Sequence, residues 1–138
     1  MLAIIGGTGL SQIEGLRSAG FKRIATPYSE KRISIELYQY AGQTIAFLPR
    51  HGKDHIIPPH KINYRANIWA LLTIGVKRIV AINAVGGIHK ETGPGNFSLP
   101  DQIIDYTHSR AGTFFEDDLE FVTHIDFTEP FSLTLRTE

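Results

Sequence analysis

The chain has 138 residues, enough for one domain around one core, and its 42% hydrophobic and 20% charged content excludes a disordered protein. Its 14 basic and 14 acidic residues cancel, which argues against a broad nucleic-acid or anionic-membrane surface but leaves room for a local anion site. Cysteine is absent, so disulfides and thiolate metal sites are excluded. No apolar run reaches transmembrane length and no signal-type segment opens the chain, so the expectation is a soluble cytoplasmic protein with no membrane and no nucleic-acid partner.

In chain order, Leu2-Ala3-Ile4-Ile5 reads as a short buried strand that stops at Gly6-Gly7-Thr8-Gly9. Residues 10–16 read as a helical turn or a loop. Ile33-Ser34-Ile35-Glu36-Leu37 alternates apolar and polar, as a half-buried strand does. It continues to Tyr40, turns at Ala41-Gly42-Gln43 and returns over residues 44–48, which predicts an antiparallel hairpin. Pro58-Pro59 interrupts regular structure. A helix is expected over residues 62–74, with Gly75 as its left-handed cap. Ile79-Val80-Ala81-Ile82 is apolar and largely β-branched, as in a strand buried on both faces. Gly93-Pro94-Gly95-Asn96 reads as a turn, residues 102–106 as a further strand and residues 109–118 as a loop. Strand, helix and strand in succession predict a crossover onto a mixed sheet, hence an α/β fold in a single domain over residues 1–138. Only one long helix is evident, and one helix cannot cover both faces of such a sheet.

Three strand ends carry residues suited to an anion. Gly6-Gly7-Thr8-Gly9 lets successive N–H groups converge, and Thr8 adds a hydroxyl. It lacks the Gly-Lys-Ser/Thr of a P-loop and the third glycine of a dinucleotide fingerprint. Arg50 and His51 follow the second hairpin strand; a guanidinium fork suits phosphate oxygens and an imidazole can donate or hold a proton. Asn83-Ala84-Val85-Gly86-Gly87 ends the strand after the helix. Each stretch also has a structural reading: a tight turn, an Arg50–Asp54 pair, a loop histidine. If the three ends lie side by side, they could face one phosphate-sized anion. His51, His55 and His60 with Asp54 have no metal-ligand spacing, so no metal is expected.

Taken together, six ordered segments resemble the purine nucleoside phosphorylase superfamily. They are Ile4-Ile5-Gly6-Gly7-Thr8-Gly9-Leu10; Arg50-His51-Gly52; Pro58-Pro59-His60-Lys61-Ile62-Asn63-Tyr64-Arg65-Ala66-Asn67; Asn83-Ala84-Val85-Gly86-Gly87-Ile88; Asp101-Gln102-Ile103-Ile104-Asp105-Tyr106-Thr107; and His124-Ile125-Asp126-Phe127-Thr128-Glu129-Pro130-Phe131. Within that superfamily they are most similar to the methylthioadenosine and methylthioinosine branch. Asn83 leans toward the methylthioinosine type, since many methylthioadenosine enzymes carry threonine there. The resemblance implies a nucleoside phosphorylase-like fold, a mixed central sheet with flanking helices. It also implies phosphorolysis of a 5′-methylthio purine nucleoside to the free purine and 5-methylthioribose 1-phosphate, with inorganic phosphate as co-substrate and no cofactor. By the same resemblance Thr8, Arg50, His51, Asn83 and Ala84 hold the phosphate, His55 lies near the 5′ substituent, and His124 reaches into a neighbouring subunit's site in a homotrimer. Members of that family are nearly twice as long, so the expectation is a partial phosphorylase domain resembling their N-terminal half and inactive on its own. An inactive nucleoside- or phosphate-binding fragment is the alternative.

Overall fold

The computed structural model describes residues 1–7, 15–116 and 119–137. They fall into two units. The first comprises Met1–Asn83 with Ala111–Thr113, and the second Ala84–Arg110 with Phe114–Glu138.

The first unit is built on a five-stranded mixed sheet. Its elements are β1 (Leu2–Gly6), β2 (Arg17–Thr26), β3 (Ser29–Tyr40), β4 (Gln43–Pro49), α1 (Tyr64–Thr73) and β5 (Arg78–Ala81), and the strand order is β2-β3-β4-β1-β5. β2, β3 and β4 form an antiparallel meander, whereas β4, β1 and β5 run parallel. The expected hairpin is β3–β4. Its turn residues Ala41 and Gly42 have φ of 47° and 75°, the two positive values that a type I′ turn needs to match strand twist.

Alternation along the strands separates two faces. Ala3, Ile35, Ala46 and Leu48 point to the side where they pack with Ala70 and Leu71 of α1 and with Val76. Ile4, Phe47 and Glu36 stand abreast in the register of β1, β4 and β3, on the opposite side. The expected helix is α1, and local chemistry bounds it. Asn63 Oδ1 accepts from the Ala66 N–H at 3.0 Å, while its Nδ2 donates to the Tyr28 carbonyl at 2.7 Å. One side chain thus caps the helix and ties it to the β2–β3 turn. Tyr28 also meets Trp69 edge-on at 5.6 Å between centroids, with the Arg65 guanidinium over its ring. At the far end Gly75 has φ of 86°, the left-handed cap that only glycine adopts freely.

Two expectations are corrected, and one strand was not expected. β2 has no counterpart in the sequence reading. Nearly all its residues are exposed, so no apolar alternation marks it. It pairs on one side only, and its register shifts and the charges Lys22 and Arg23 are what a free sheet edge carries. β5 was expected to be buried on both faces, yet Val80 is 39% exposed and Arg78 and Ala81 are exposed too. It lies at the other sheet margin, paired only with β1 among the described residues. Residues 102–106 form no strand; a strand exists only through a partner's ladder, and Ile103 and Ile104 stay exposed. Of residues 10–16, those up to 14 lie outside the described residues.

The second unit holds little regular structure among its described residues: a 3₁₀ turn at Lys90–Thr92 and α2 (Leu133–Thr137). The turn expected at residues 93–96 forms, with the Asn96 N–H donating to the Gly93 carbonyl at 3.2 Å. Residues 109–116 are irregular, as expected. Short side-chain bonds organise the rest. Gln102 Nε2 donates to the Thr128 carbonyl at 3.2 Å. Asp105 and Asp126 each accept from the backbone N–H two residues on, and their Thr107 and Thr128 partners hold both carboxyls below the ordinary range. No described helix is long and apolar enough to cross a membrane.

Candidate functional site

The sheet order brings together the strand ends that the sequence reading singled out. β1 lies between β4 and β5, all three run parallel, and Gly6 is level with Pro49 while Ile5 is level with Ala81. Gly7, Arg50 and Ile82 therefore leave the sheet at one edge, the carboxyl end, where open α/β sheets take their ligands. The Arg50 N–H is held by the Gly6 carbonyl at 3.1 Å and the Ile82 N–H by the Ile5 carbonyl at 2.9 Å, so the parallel ladder continues into these ends.

Arg50 crosses this edge. Its Nη1 donates to the Ile82 carbonyl at 2.7 Å. Gly7 lies under the same group: a Cβ added at position 7 would stand 3.6 Å from Nη2. The structural reading of Arg50 as the partner of Asp54 does not hold, since its guanidinium is directed across β1 to β5. A planar guanidinium with five N–H donors keeps others free while one is spent on Ile82.

His51 is positioned by its own loop. Gly52, at φ of 77°, and His55, at φ of 53°, fold residues 49–57 back on themselves. The Ile57 N–H donates to the His51 carbonyl at 3.0 Å and His51 Nδ1 lies 2.8 Å from the Ile57 carbonyl. A carbonyl oxygen only accepts, so Nδ1 carries a hydrogen. Nε2 is left as an acceptor in the neutral ring and a donor in the imidazolium. The His55 ring lies 4.6 Å from that of His51, tilted by 50°. A cavity at the end of β4 is lined by Gly6, Gly7, Glu36, Phe47, Pro49, His51, Gly52, Lys53 and His55.

The remaining sequence-predicted residues are placed as follows. Thr8 lies outside the described residues. Asn83 is one residue beyond Ile82, at the end of the first unit's continuous segment, and Ala84 opens the second unit, to which His124 also belongs. At Gly87 an added Cβ would run into the Thr92 carbonyl, so that half of the glycine pair is required by packing. Sequence reading missed Glu36 and Lys53, which share the cavity with His51. Glu36 sits within an ordinary alternating strand and Lys53 within a polar loop, so neither carries a local signal. Among the described residues, no three His, Asp or Glu side chains are grouped as a metal ion would need.

Comparison with known proteins identifies the family and the fold. The family described as the phosphorylase superfamily matches residues 1–138. A probable S-methyl-5′-thioinosine phosphorylase of Pseudomonas syringae pv. tomato is 54% identical over 97% of this chain and 54% of its own length. An S-methyl-5′-thioadenosine phosphorylase of Hyperthermus butylicus is 48% identical over 99% of this chain and 49% of its own. A 6-oxopurine nucleoside phosphorylase of Pyrococcus furiosus is 46% identical over 98% and 52%. Among solved structures, the methylthioadenosine phosphorylase of Schistosoma mansoni in complex with adenine superimposes with a TM-score of 0.87 at 35% identity, covering 99% of this chain and 50% of that one. The chain thus spans about half the length of the relatives it matches. A parallel β4-β1-β5 edge in a mixed α/β sheet, a family match along the whole chain and relatives near half identity lead to one conclusion: the chain belongs to the phosphorylase superfamily, as a homologue of the methylthioadenosine and methylthioinosine phosphorylases.

Proposed function

We propose that this chain supplies the phosphate-binding edge of an enzyme that cleaves S-methyl-5′-thioinosine, or S-methyl-5′-thioadenosine, by phosphorolysis. An oxygen of inorganic phosphate bonds to the anomeric carbon as the bond to the purine nitrogen breaks. The base departs with the electron pair and takes up a proton, and 5-methylthioribose 1-phosphate forms. The observation that carries this reading is Arg50, which spans the parallel ends of β4, β1 and β5 with donors to spare. Such a transition state resembles an oxocarbenium ion, and the anionic nucleophile must be desolvated and aimed at it. In this reading Thr8, Arg50, His51, Asn83 and Ala84 hold the phosphate and His55 lies toward the 5′ substituent. His124 serves a neighbouring site in a homotrimer, and the setting is cytoplasmic purine salvage.

A second reading is a phosphate- or nucleoside-binding protein without turnover. The second unit favours it, where Ile88 is fully exposed and Phe97 is 95% exposed. Steady-state phosphorolysis of methylthioinosine, methylthioadenosine, inosine and adenosine separates the readings. An apolar pocket prefers methylthio to hydroxyl by a few kcal/mol at most, so the methylthio compounds should lead by about tenfold to a hundredfold in kcat/KM. Preference for inosine over both overturns the substrate assignment. Phosphate binding without turnover on any of the four selects the second reading.

A further inference from the structure

Glu36 is a carboxylate in a cavity that otherwise suits an anion. The register that pairs it with Phe47 brings it from β3 to the wall shared with Gly7, His51, Lys53 and His55. It is held there. The Tyr38 hydroxyl donates to Glu36 Oε2 at 2.6 Å, and the Tyr38 ring stands edge-on to Phe47 at 6.5 Å between centroids. That hydrogen bond, then burial, pushes the Tyr38 phenol up to about 12, so its proton stays on the phenol oxygen. Oε1 is left as an acceptor with no hydrogen bond from any described residue.

A second acceptor lines the same cavity. His51 Nδ1–H is committed to the Ile57 carbonyl, so the neutral ring offers only the lone pair of Nε2. The cavity therefore presents Lys53 and the Gly7 backbone beside two acceptors. An oxyanion with acceptor oxygens alone satisfies the donors but meets the carboxylate as a like charge. An oxyanion that keeps one acidic proton satisfies the donors and, through that proton, one of the two acceptors. A site that must hydrogen-bond a ligand's O–H rejects the analogue lacking it, because the buried partner is left unpaired.

We propose that Glu36 is a specificity-determining residue that selects a protonated oxyanion, hydrogenphosphate, over one without a proton, sulfate. The P–OH donates to Glu36 Oε1 while the charged oxygens face Lys53 and the Gly7 backbone, over which the Arg50 guanidinium lies. This rests on the reading of Gly7, Arg50 and His51 as an anion site. The test is titration calorimetry of the protein with inorganic phosphate and with sulfate at pH 8, on the wild type, Glu36→Gln and Arg50→Ala. Gln retains an acceptor for P–OH and adds an N–H for sulfate. Phosphate should bind the wild type at least about tenfold more tightly than sulfate, and Glu36→Gln should bring the two within about threefold by strengthening sulfate. If phosphate binds through Arg50 but the ratio is unchanged in Glu36→Gln, this inference fails and the anion site stands. If phosphate does not bind, or binds Arg50→Ala as tightly as the wild type, the anion site fails and the inference falls with it.

Discussion

Arg50 and Ile82, each just past the end of one of two strands separated by β1, are joined by a 2.7 Å hydrogen bond from Nη1 to the Ile82 carbonyl. Two strand spacings separate β4 from β5, roughly 10 Å, and the arginine side chain covers that span over Gly7. The contact aligns the guanidinium along the sheet edge, so its remaining N–H groups are presented there before any ligand arrives. Such preorganisation lowers the cost of binding.

Arg50→Ala is therefore expected to abolish phosphate binding and to leave the sheet formed, since the ladder around Arg50 uses its backbone N–H. Arg50→Lys keeps the charge but loses the fork that serves Ile82 and an anion together. Its phosphate affinity should fall by about tenfold or more, a loss of 1.4 kcal/mol or more. Calorimetric titration with phosphate measures both, with circular dichroism as the control on folding. Undiminished affinity in Arg50→Ala refutes the anion role of this residue.

Asn63 performs two tasks that substitution can separate. Asn63→Ala removes the acceptor for the Ala66 N–H and the donor to the Tyr28 carbonyl. Loss of an N-cap costs about 1 kcal/mol, and loss of the tie to Tyr28 adds about 1 kcal/mol more. Asn63→Asp keeps the cap and gives up only the donor, so it should recover about half of the stability lost in Asn63→Ala. Urea denaturation of the three proteins checks the order wild type, Asp, Ala. Equal stability of the Asp and Ala variants would show that the cap contributes nothing.

Tyr38 provides a pH signature of the cavity wall. Its folded-state value, about 12, is raised above the ordinary 10.0, first by the hydrogen bond to Glu36. A raised value means that the fold favours the protonated phenol. This contribution to stability is complete below pH 10 and is lost as pH rises through 12. Ultraviolet titration should show a late phenol from Tyr38. Glu36→Gln should move it back toward 10.0, because both the charged acceptor and its field are removed. A late phenol that persists in Glu36→Gln would assign the shift to burial instead.

Much of the first unit could be read locally. The Ala41-Gly42 turn and the Gly75 stop depend on backbone angles within a few residues, so short stretches of sequence encode them. The apolar runs of β1 and β4 were visible because each buries side chains beneath α1. β2 escaped because it is an exposed edge strand: its pairing is made by backbone groups, which every residue type shares. Residues 102–106 misled for the complementary reason. Their composition suits a strand, but composition does not provide a partner.

The site divides along the same line. Sequence alone singled out the candidates for an anion: Gly7-Thr8, Arg50-His51 and Asn83-Ala84 each follow an apolar run. Only the tertiary structure decided which of them are neighbours. Placing β1 between β4 and β5 is a long-range choice, made by packing Ala3, Ala46 and Leu48 under α1. It directs Arg50 to the Ile82 carbonyl and not to Asp54, four residues away in the chain. The β3–β4 register likewise brings Glu36 to the cavity wall, a position set by backbone pairing at a distance and left unmarked by its own local sequence.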